Sequence, residues 1–226
     1  MQAHPDGTFF HTLAWRDAVI RAWGHLAPFL IAERDGRIEG ILPLYRIRSL
    51  LAGTLLVSVP YAVYGGILAE NDESRDALFQ AAMELGRQER ARMLDLRSVR
   101  AALPDQPVID RYVTFRRELP PRPEDVLGWI PRKTRAAARK GREKFNLSVQ
   151  FDDANLRTVW HLYCLSMRRL GSLNYPYAFF EALLANTPGR HTVSLVTYQG
   201  QPAAGLVTFY HGDVALPYFS GCDTRF

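Results

Sequence analysis

The chain of 226 residues contains only two cysteines, Cys164 and Cys222, and they form no CxxC motif. Two isolated thiols in a chain of this length do not indicate a disulfide framework and are typical of a reducing compartment. Long apolar runs are also missing, because the most apolar stretch, residues 50–68, is broken by one proline and three glycines. A membrane helix needs roughly 20 apolar residues without such breaks. We therefore expect no membrane span and a cytoplasmic location.

The familiar catalytic signatures are absent as well: the sequence has no GxSxG, HExxH, P-loop or GxGxxG. Its histidines do not recur at metal-ligand spacing, so we expect no metal site. The six histidines are His4, His11, His25, His161, His191 and His211. The sequence thus names no catalytic residue, and the functional interpretation depends on three other segments.

Acidic residues are scarce in one segment, residues 132–144, which carries seven cations against the single acid Glu143. The net charge of this segment is +6, while that of the whole chain is +5, so the remainder is −1. On a helix, its arginines fall within one stripe about 80° wide. These arginines are Arg132, Arg135, Arg139 and Arg142. The stripe predicts either a site for phosphate, on a nucleotide or on RNA, or a solvated helix face.

The second segment ends an apolar helix with Arg168 and Arg169 and continues into a loop that carries Tyr175 and Tyr177. Arg168 is expected to point about 180° away from the apolar face of that helix. An arginine fork binds carboxylate or phosphate bidentately, and tyrosine adds a flat wall and a hydroxyl group. The functional interpretation is therefore a substrate-binding loop. The structural alternative is a helix end whose arginines complement the dipole while the tyrosines pack.

The third segment, residues 60–66, places Tyr64 before the pair Gly65-Gly66, directly after a predicted strand. Glycine lets the backbone approach a ligand closely, so these three residues are candidates for substrate binding. A tight turn or a bulge would explain the same pattern.

Two predicted hairpins divide the chain into similar halves. The first surrounds Asp35-Gly36 and the second surrounds Gln199-Gly200, and each follows a helix and precedes another strand. Between them the pattern predicts a helix over 71–92 and a strand over 112–119.

Prolines at 120, 121 and 123 mark a boundary between the halves. This organisation favours a duplicated α/β unit, with copies at 1–120 and 121–226, although two ordinary hairpins could look alike. The sequence stops at the matching point of the second copy, so we expect that copy to be incomplete at its C-terminus.

Several of these segments resemble FemAB-like proteins. In the first copy the likeness rests on Phe9 to Trp15, Gly40 to Leu44 and Tyr64-Gly65-Gly66; in the second it rests on Arg132 to Lys144, Leu162 to Gly171 and Tyr175 to Phe180. The likeness covers nearly the whole chain and is strongest to the FemAB-related proteins associated with exosortase and exopolysaccharide systems. It implies an α/β fold built from two GNAT-type units in tandem, the second of them incomplete.

The resemblance also implies a function, an acyltransferase or aminoacyltransferase that forms an amide bond in cell-envelope or exopolysaccharide metabolism. Characterised FemAB-like members transfer amino acids from aminoacyl-tRNA to a peptidoglycan precursor. The expected donor is therefore aminoacyl-tRNA or acyl-CoA, with no tightly bound cofactor, and the expected acceptor is a small-molecule or nucleotide-linked amine. The resemblance places Arg168 and Tyr175 or Tyr177 where members hold the phosphate or peptide portion of the substrate.

Two alternative functions are open at this stage. One is a CoA-dependent N-acetyltransferase, although Arg139-Lys140-Gly141 lacks the second glycine and the preceding strand of a coenzyme A loop. The other is a non-catalytic module that binds RNA or DNA through the basic helix 132–144. The weak basicity of the rest of the chain argues against a sequence-reading role.

Overall fold

The computed structural model describes residues 4–99, 103, 106–109 and 113–226, which form a mixed α/β fold. The helices in these residues are α1 (Leu13–Trp23), α2 (Asp72–Gln88), α3 (Val126–Trp129), α4 (Arg132–Glu143), α5 (Leu156–Arg169) and α6 (Tyr177–Ala185). The strands are β1 (Phe29–Arg34), β2 (Arg37–Pro43), β3 (Tyr45–Ser49), β4 (Gly53–Ser58), β5 (Leu68–Ala69), β6 (Met93–Leu96), β7 (Ser148–Phe151), β8 (His191–Tyr198), β9 (Gln201–His211) and β10 (Val214–Cys222). None of the described helices is both long and apolar enough to span a membrane.

The strands form three sheets with the orders β1-β2-β5, β3-β4-β6 and β10-β9-β8-β7. Strands β4 and β6 pair in parallel, with α2 between them in the sequence, whereas β1–β2, β3–β4 and β7–β8 are antiparallel. The β4–β6 pair is important for the site below, because the chain leaves β4 into the loop that contains Tyr64 and the two glycines.

Both predicted hairpins are confirmed, and their turns have the backbone that the sequence demands. Asp35 and Gly36 have φ angles of 51° and 76°, and Gln199 and Gly200 have 49° and 76°. Two consecutive residues with positive φ are typical of the tight turn that matches the twist of paired strands. The predicted helix 71–92 is α2, and the Asn71 side chain caps it by accepting a hydrogen bond from the N–H of Ser74 (2.8 Å).

The predicted strand 112–119 is wrong over its described residues, 113–119, and Tyr112 lies outside the described part of the chain. Residues 113–119 are exposed and form no strand, because alternation of apolar residues cannot make a strand without a neighbour that pairs with it.

The chain forms two compact units, each assembled from separate stretches of sequence. Unit 1 comprises 1–106, 175–191 and 209–216, and unit 2 comprises 107–174, 192–208 and 217–226. The division of the chain into duplicated copies at 1–120 and 121–226 is inferred from the sequence pattern. This duplication stays a prediction.

Aromatic side chains form the core of unit 1. Trp15 on α1 is fully buried and makes edge-on contacts with Phe10 (ring centroids 4.8 Å apart) and Phe179 (5.2 Å). Phe9 stacks on Phe209 with ring centroids 4.7 Å apart. A second apolar cluster joins α2 to the β1-β2-β5 sheet and consists of Leu42, Leu44, Leu78 and Ala82.

In unit 2, α5 packs closely on β9 and β10, and glycine makes this possible. A Cβ at Gly205 would lie 2.8 Å from the side chain of Val159, and a Cβ at Gly221 would overlap the backbone of Leu162. The hydroxyl of Ser166, one helical turn further on, accepts a hydrogen bond from the N–H of Cys222 (3.0 Å). The buried face of α5 includes Leu156, Val159 and Tyr163, which the sequence pattern places on the apolar face of this helix, whereas Leu170, predicted on the same face, is exposed.

Candidate active site

The loop after β4, residues 59–66, is held by the residue that follows β6. The N–H of Arg97 donates to the carbonyl of Ser58 (3.0 Å), and the N–H of Gly65 donates to the carbonyl of Arg97 (2.8 Å). The guanidinium of Arg97 also donates to the carbonyl of Ala62 (2.9 Å). This loop is therefore fixed at both ends and in the middle, so its side chains have defined positions.

Gly65 and Gly66 are buried in this loop, and packing explains both of them. A Cβ at Gly65 would overlap the backbone of Ser58, and a Cβ at Gly66 would lie 2.5 Å from Oγ of Ser98. Gly66 also has a φ of 90°, which other residues adopt only with strain. In this structure the two glycines closely approach other atoms of the protein, the backbone of Ser58 and the Ser98 residue, and Tyr64 lies half-buried next to them.

Tyr61 has an unusual backbone, with a φ of 61° in the left-handed region that favours glycine. Non-glycine residues in this region are concentrated at functional sites. Its ring stacks on Trp23 with centroids 3.8 Å apart and planes 18° apart. Its hydroxyl lies 2.8 Å from Nε2 of His25, so a phenol and an imidazole form a hydrogen-bonded pair.

Tyr175 joins this pair from the residues just before α6. Its ring meets Tyr61 at 5.4 Å, Trp23 at 5.8 Å and Phe179 at 5.7 Å between centroids. Tyr177, the first residue of α6, is half-buried in the same unit. The structure thus brings Tyr175 into contact with the loop that contains Tyr64. The sequence patterns selected these two segments separately.

Burial keeps the polar groups of this cluster neutral at neutral pH. Desolvation lowers the pKa of His25, so its imidazole is uncharged, and desolvation raises the pKa of Tyr61, so its phenol keeps its proton. The pKa of Tyr175 is also raised by burial, although the positive charge of Arg97 opposes this effect. A neutral imidazole that is hydrogen-bonded to a protonated phenol can accept or pass on a proton.

His11 lies against the Gly65-Gly66 turn and is buried. Its Nδ1 accepts a hydrogen bond from the N–H of Thr8 (3.2 Å), so the neutral ring carries its proton on Nε2. Nε2 has no hydrogen-bond partner of normal geometry among the described residues. Burial lowers the pKa of His11 to about 4, and the nearby carbonyl groups of Gly66 and Gly65 offset only part of that effect.

We expect this histidine to make folding stability depend on pH. Because the folded-state pKa is about 4 and the ordinary value is 6.5, the unfolded chain binds the proton first as the pH falls below 6.5. Stability is therefore greatest above pH 6.5 and decreases toward pH 4, by about 2 kcal/mol at a pH of about 5. Urea unfolding of the wild type and of His11→Asn at pH 7.5 and 5 measures this contribution. The wild type should lose about 2 kcal/mol more than the variant, and equal losses in both proteins would contradict the assignment.

Arg168 and Arg169 have different environments at the end of α5. Arg168 is exposed, as the helical geometry predicts. Arg169 donates to the hydroxyl of Ser166 (3.2 Å) and lies 3.5 Å from both the carbonyl oxygen and the sulfur of Cys222. Arg169 therefore ties the end of α5 to the end of β10, which favours the structural interpretation for this residue, while Arg168 is available to a ligand.

The predicted basic helix is α4. Arg132 and Arg139 are exposed, whereas Arg135 is half-buried and donates to the carbonyls of Leu127 (3.4 Å) and Gly128 (3.3 Å) at the end of α3. These three candidates belong to unit 2, as does Arg168, whereas Tyr64, Gly65, Gly66, Tyr175 and Tyr177 belong to unit 1.

The sequence patterns did not identify His25 and Tyr61, the hydrogen-bonded pair that is best suited to proton transfer. These residues are separated by 36 positions, and neither lies in a spaced motif, so only the fold brings them together. One signal was available: Tyr61 belongs to the 60–66 segment that the pattern selected for its glycines. No group of three or more histidine, cysteine, aspartate or glutamate residues in the described part of the chain could hold a metal ion.

The second part of the chain matches a known class of enzyme domain. Residues 128–226 match the family model of the acetyltransferase (GNAT) domain. The fold of the whole chain is similar to the crystal structure of FemX, with a TM-score of 0.68 and 14% sequence identity. That similarity covers 100% of this chain and 78% of the FemX chain. No curated protein matches the sequence.

These matches confirm the predicted fold class. The chain has a mixed α/β fold like that of FemX, and its second part matches the model of the GNAT domain. At this level of identity the likeness to FemX concerns the fold, and the association with exosortase systems stays a prediction.

Proposed function

We propose that the protein is an acyltransferase or aminoacyltransferase that forms an amide bond. The observation that carries this proposal is the GNAT-domain match over residues 128–226, because transfer of an acyl group to an amine is the chemistry of that class of domain. The FemX-like fold over the whole chain supports the aminoacyl form of the reaction. The resemblance to FemAB-like proteins adds the expected setting, which is cell-envelope or exopolysaccharide metabolism in the cytoplasm.

In the proposed reaction the nitrogen of a neutral amine attacks the carbonyl carbon of an ester or thioester donor. A C–N bond forms, the C–O or C–S bond of the donor breaks, and the proton of the amine passes to the leaving group. The His25–Tyr61 pair suits the proton transfer, because burial favours the neutral imidazole of His25 and its Nε2 is 2.8 Å from the Tyr61 hydroxyl. Loop and strand-end N–H groups would supply the stabilisation of the oxyanion.

The donor that we favour is aminoacyl-tRNA, and the acceptor is a small-molecule or nucleotide-linked amine held by Arg168, Tyr175 or Tyr177. The second candidate is a CoA-dependent N-acetyltransferase, which the description of the matched GNAT domain favours. Against it stands the position of Arg139-Lys140-Gly141 in the interior of α4. A loop that cradles pyrophosphate offers backbone N–H groups at the beginning of a helix, and residues in a helix interior have theirs already bonded.

The reaction can be tested directly with both donors. We expect the full chain to form a new amide when it is given alanyl-tRNA and a nucleotide-linked amino-sugar peptide with a free amine, as detected by mass spectrometry. Product from acetyl-CoA instead of alanyl-tRNA would favour the second candidate. Absence of product with both donors, from protein shown to be folded by circular dichroism, would contradict the proposed activity for this chain.

A further inference from the structure

Helix α4 presents a dense cationic surface to solvent. Ten of its twelve residues are exposed, and the other two, Arg135 and Gly141, are half-buried. The cations on the helix, with the lysine that caps its C-terminus, are Arg132, Lys133, Arg135, Arg139, Lys140, Arg142 and Lys144. We call these seven side chains the α4 cationic face.

The charge of this face is not neutralised within the described part of the chain. Several arginines elsewhere in the chain are paired with carboxylates, as Arg46 is with Glu89 (2.6 Å) and Arg122 is with Asp125 (2.7 Å). No member of the α4 cationic face forms an ion pair with a described residue. Single unpaired arginines, such as Arg48, also occur elsewhere among the described residues, but α4 collects seven unpaired cations on one short segment, and such a concentration of charge suits an anionic partner from outside the chain.

Helix stability explains only part of this arrangement: Lys140 and Arg142 in the last turn complement the helix dipole, but the remaining charges act against the helix. Arg132 and Lys133 lie in the first turn of α4, where the helix dipole disfavours positive charge, and no acidic residue offsets them there. Like charges three or four residues apart, such as Arg135 and Arg139, destabilise a helix by about 0.2–0.5 kcal/mol per pair. A sequence feature that costs local stability without a structural gain is expected at a functional surface.

The C-terminal end of α4 is held in place by contacts with the residues that follow it, so the α4 cationic face has a defined position on unit 2. The N–H of Leu147 donates to the carbonyl of Gly141 (3.0 Å), and the ring of Phe145 meets Tyr198 of β8 with centroids 6.5 Å apart. The ammonium groups of Lys140 and Lys144 lie over the same Phe145 ring at 5.4 and 5.8 Å. The helix is thus positioned on unit 2 by its C-terminal turn, while Arg132, Arg139 and Arg142 are exposed to solvent.

The chemistry of the face selects phosphate over a lipid surface. An amphipathic helix that binds membranes buries bulky apolar residues in the bilayer, and the apolar residues of α4 are only the alanines Ala136, Ala137 and Ala138. Arginines repeated along one stripe can each grip a phosphate group bidentately. The stripe from Arg132 to Arg142 is about 15 Å long, so it can contact several successive phosphates of one strand.

We propose that the α4 cationic face binds the sugar–phosphate backbone of a folded RNA. The choice of RNA over DNA rests on the proposed function, since an RNA can carry the activated acyl ester that amide formation needs. The contact itself depends only on charge and geometry, and it is independent of the sequence of the RNA.

The test is the salt dependence of tRNA binding by the full chain, measured by fluorescence anisotropy with labelled, deacylated bulk tRNA. The variant Arg132→Ala/Arg139→Ala/Arg142→Ala spares Arg135, whose side chain contacts α3. The slope of log K against log salt should become shallower by roughly 2–2.7, and affinity near 0.1 M salt should decrease on the order of 100-fold. The matching lysine triple variant should keep most of the slope, because its charge is unchanged.

A matched control removes three exposed arginines of unit 1 in the variant Arg21→Ala/Arg48→Ala/Arg87→Ala. Both triple variants lower the net charge from +5 to +2, so only a local contact can distinguish them. Retained binding in this control, with loss in the α4 variant, would support the proposal. An unchanged slope in the α4 variant, equal losses in both variants, or no binding of tRNA by the wild type would overturn it.

Vesicles that contain 30% phosphatidylglycerol form the last arm of the experiment. Binding to these vesicles that depends on α4, without binding to tRNA, would replace RNA with a membrane surface as the partner. The alanines should preserve the helix, so circular dichroism and melting of the α4 variant should match or exceed those of the wild type. Because no catalysis is measured, failure of the proposed transferase activity would leave this result unaffected.

Discussion

Replacing Trp15 with alanine should destabilise the protein by about 3–5 kcal/mol, a large part of the stability of a typical domain. Trp15 is fully buried between Phe9, Phe10 and Phe179, and alanine would leave a cavity that these rings cannot fill. The indole N–H also donates to the carbonyl of Pro60 (3.3 Å), which would lose its partner. Urea unfolding followed by far-ultraviolet circular dichroism measures the change.

Two variants separate the causes of this loss. Trp15→Phe keeps an aromatic ring but removes the bond to Pro60, so it should be destabilised by less than the alanine variant. Leu13→Ala changes an exposed residue of the same helix and should alter stability by less than about 0.5 kcal/mol. A loss in Trp15→Ala no larger than that in Leu13→Ala would show that α1 does not form the centre of this core.

Local patterns predicted most of the secondary structure of this chain. The turn at Asp35-Gly36, the helix that begins near residue 71 and the outward direction of Arg168 depend on residues that are neighbours in the sequence, so their physics is visible there. The strand predicted over 112–119 failed for the opposite reason. Pairing is a property of two segments, and the alternation of one segment cannot reveal whether a partner lies beside it.

The candidate active site shows the same difference between features that depend on neighbouring residues and features that depend on the fold. The glycines at 65 and 66 are visible in the sequence, but the neighbours that require them, the backbone of Ser58 and the Ser98 residue, become apparent only in the fold. Arg169 looks like Arg168 in the sequence, yet only Arg169 contacts the end of β10. Likewise, no spacing rule connects residues 36 positions apart, so the phenol–imidazole pair could be found only in three dimensions.

Tyr61→Phe should reduce kcat for amide formation by at least about 100-fold and leave KM nearly unchanged. General acid–base groups contribute roughly 100- to 10,000-fold to rates, and the variant removes the only hydroxyl that the structure places at hydrogen-bonding distance from His25 among the described residues. The ring and its stacking on Trp23 are kept, so binding and folding should change little. The rate is measured with the donor and acceptor that give product by mass spectrometry.

The pH profile and a second tyrosine make this prediction specific. If neutral His25 is the form that acts, the wild-type rate should be constant near neutral pH and fall on acidification at a pH below the ordinary histidine value, because burial lowers the pKa of His25. His25→Gln should lose both the rate and this dependence on pH.

Tyr45→Phe is the matched control, since the Tyr45 hydroxyl is buried without a hydrogen-bond partner among the described residues. Removal of this hydroxyl should leave the rate unchanged and the stability of the protein equal or higher. A Tyr61→Phe protein that folds and reacts as fast as the Tyr45→Phe protein would exclude the phenol from proton transfer and reduce His25 and Tyr61 to packing residues of unit 1.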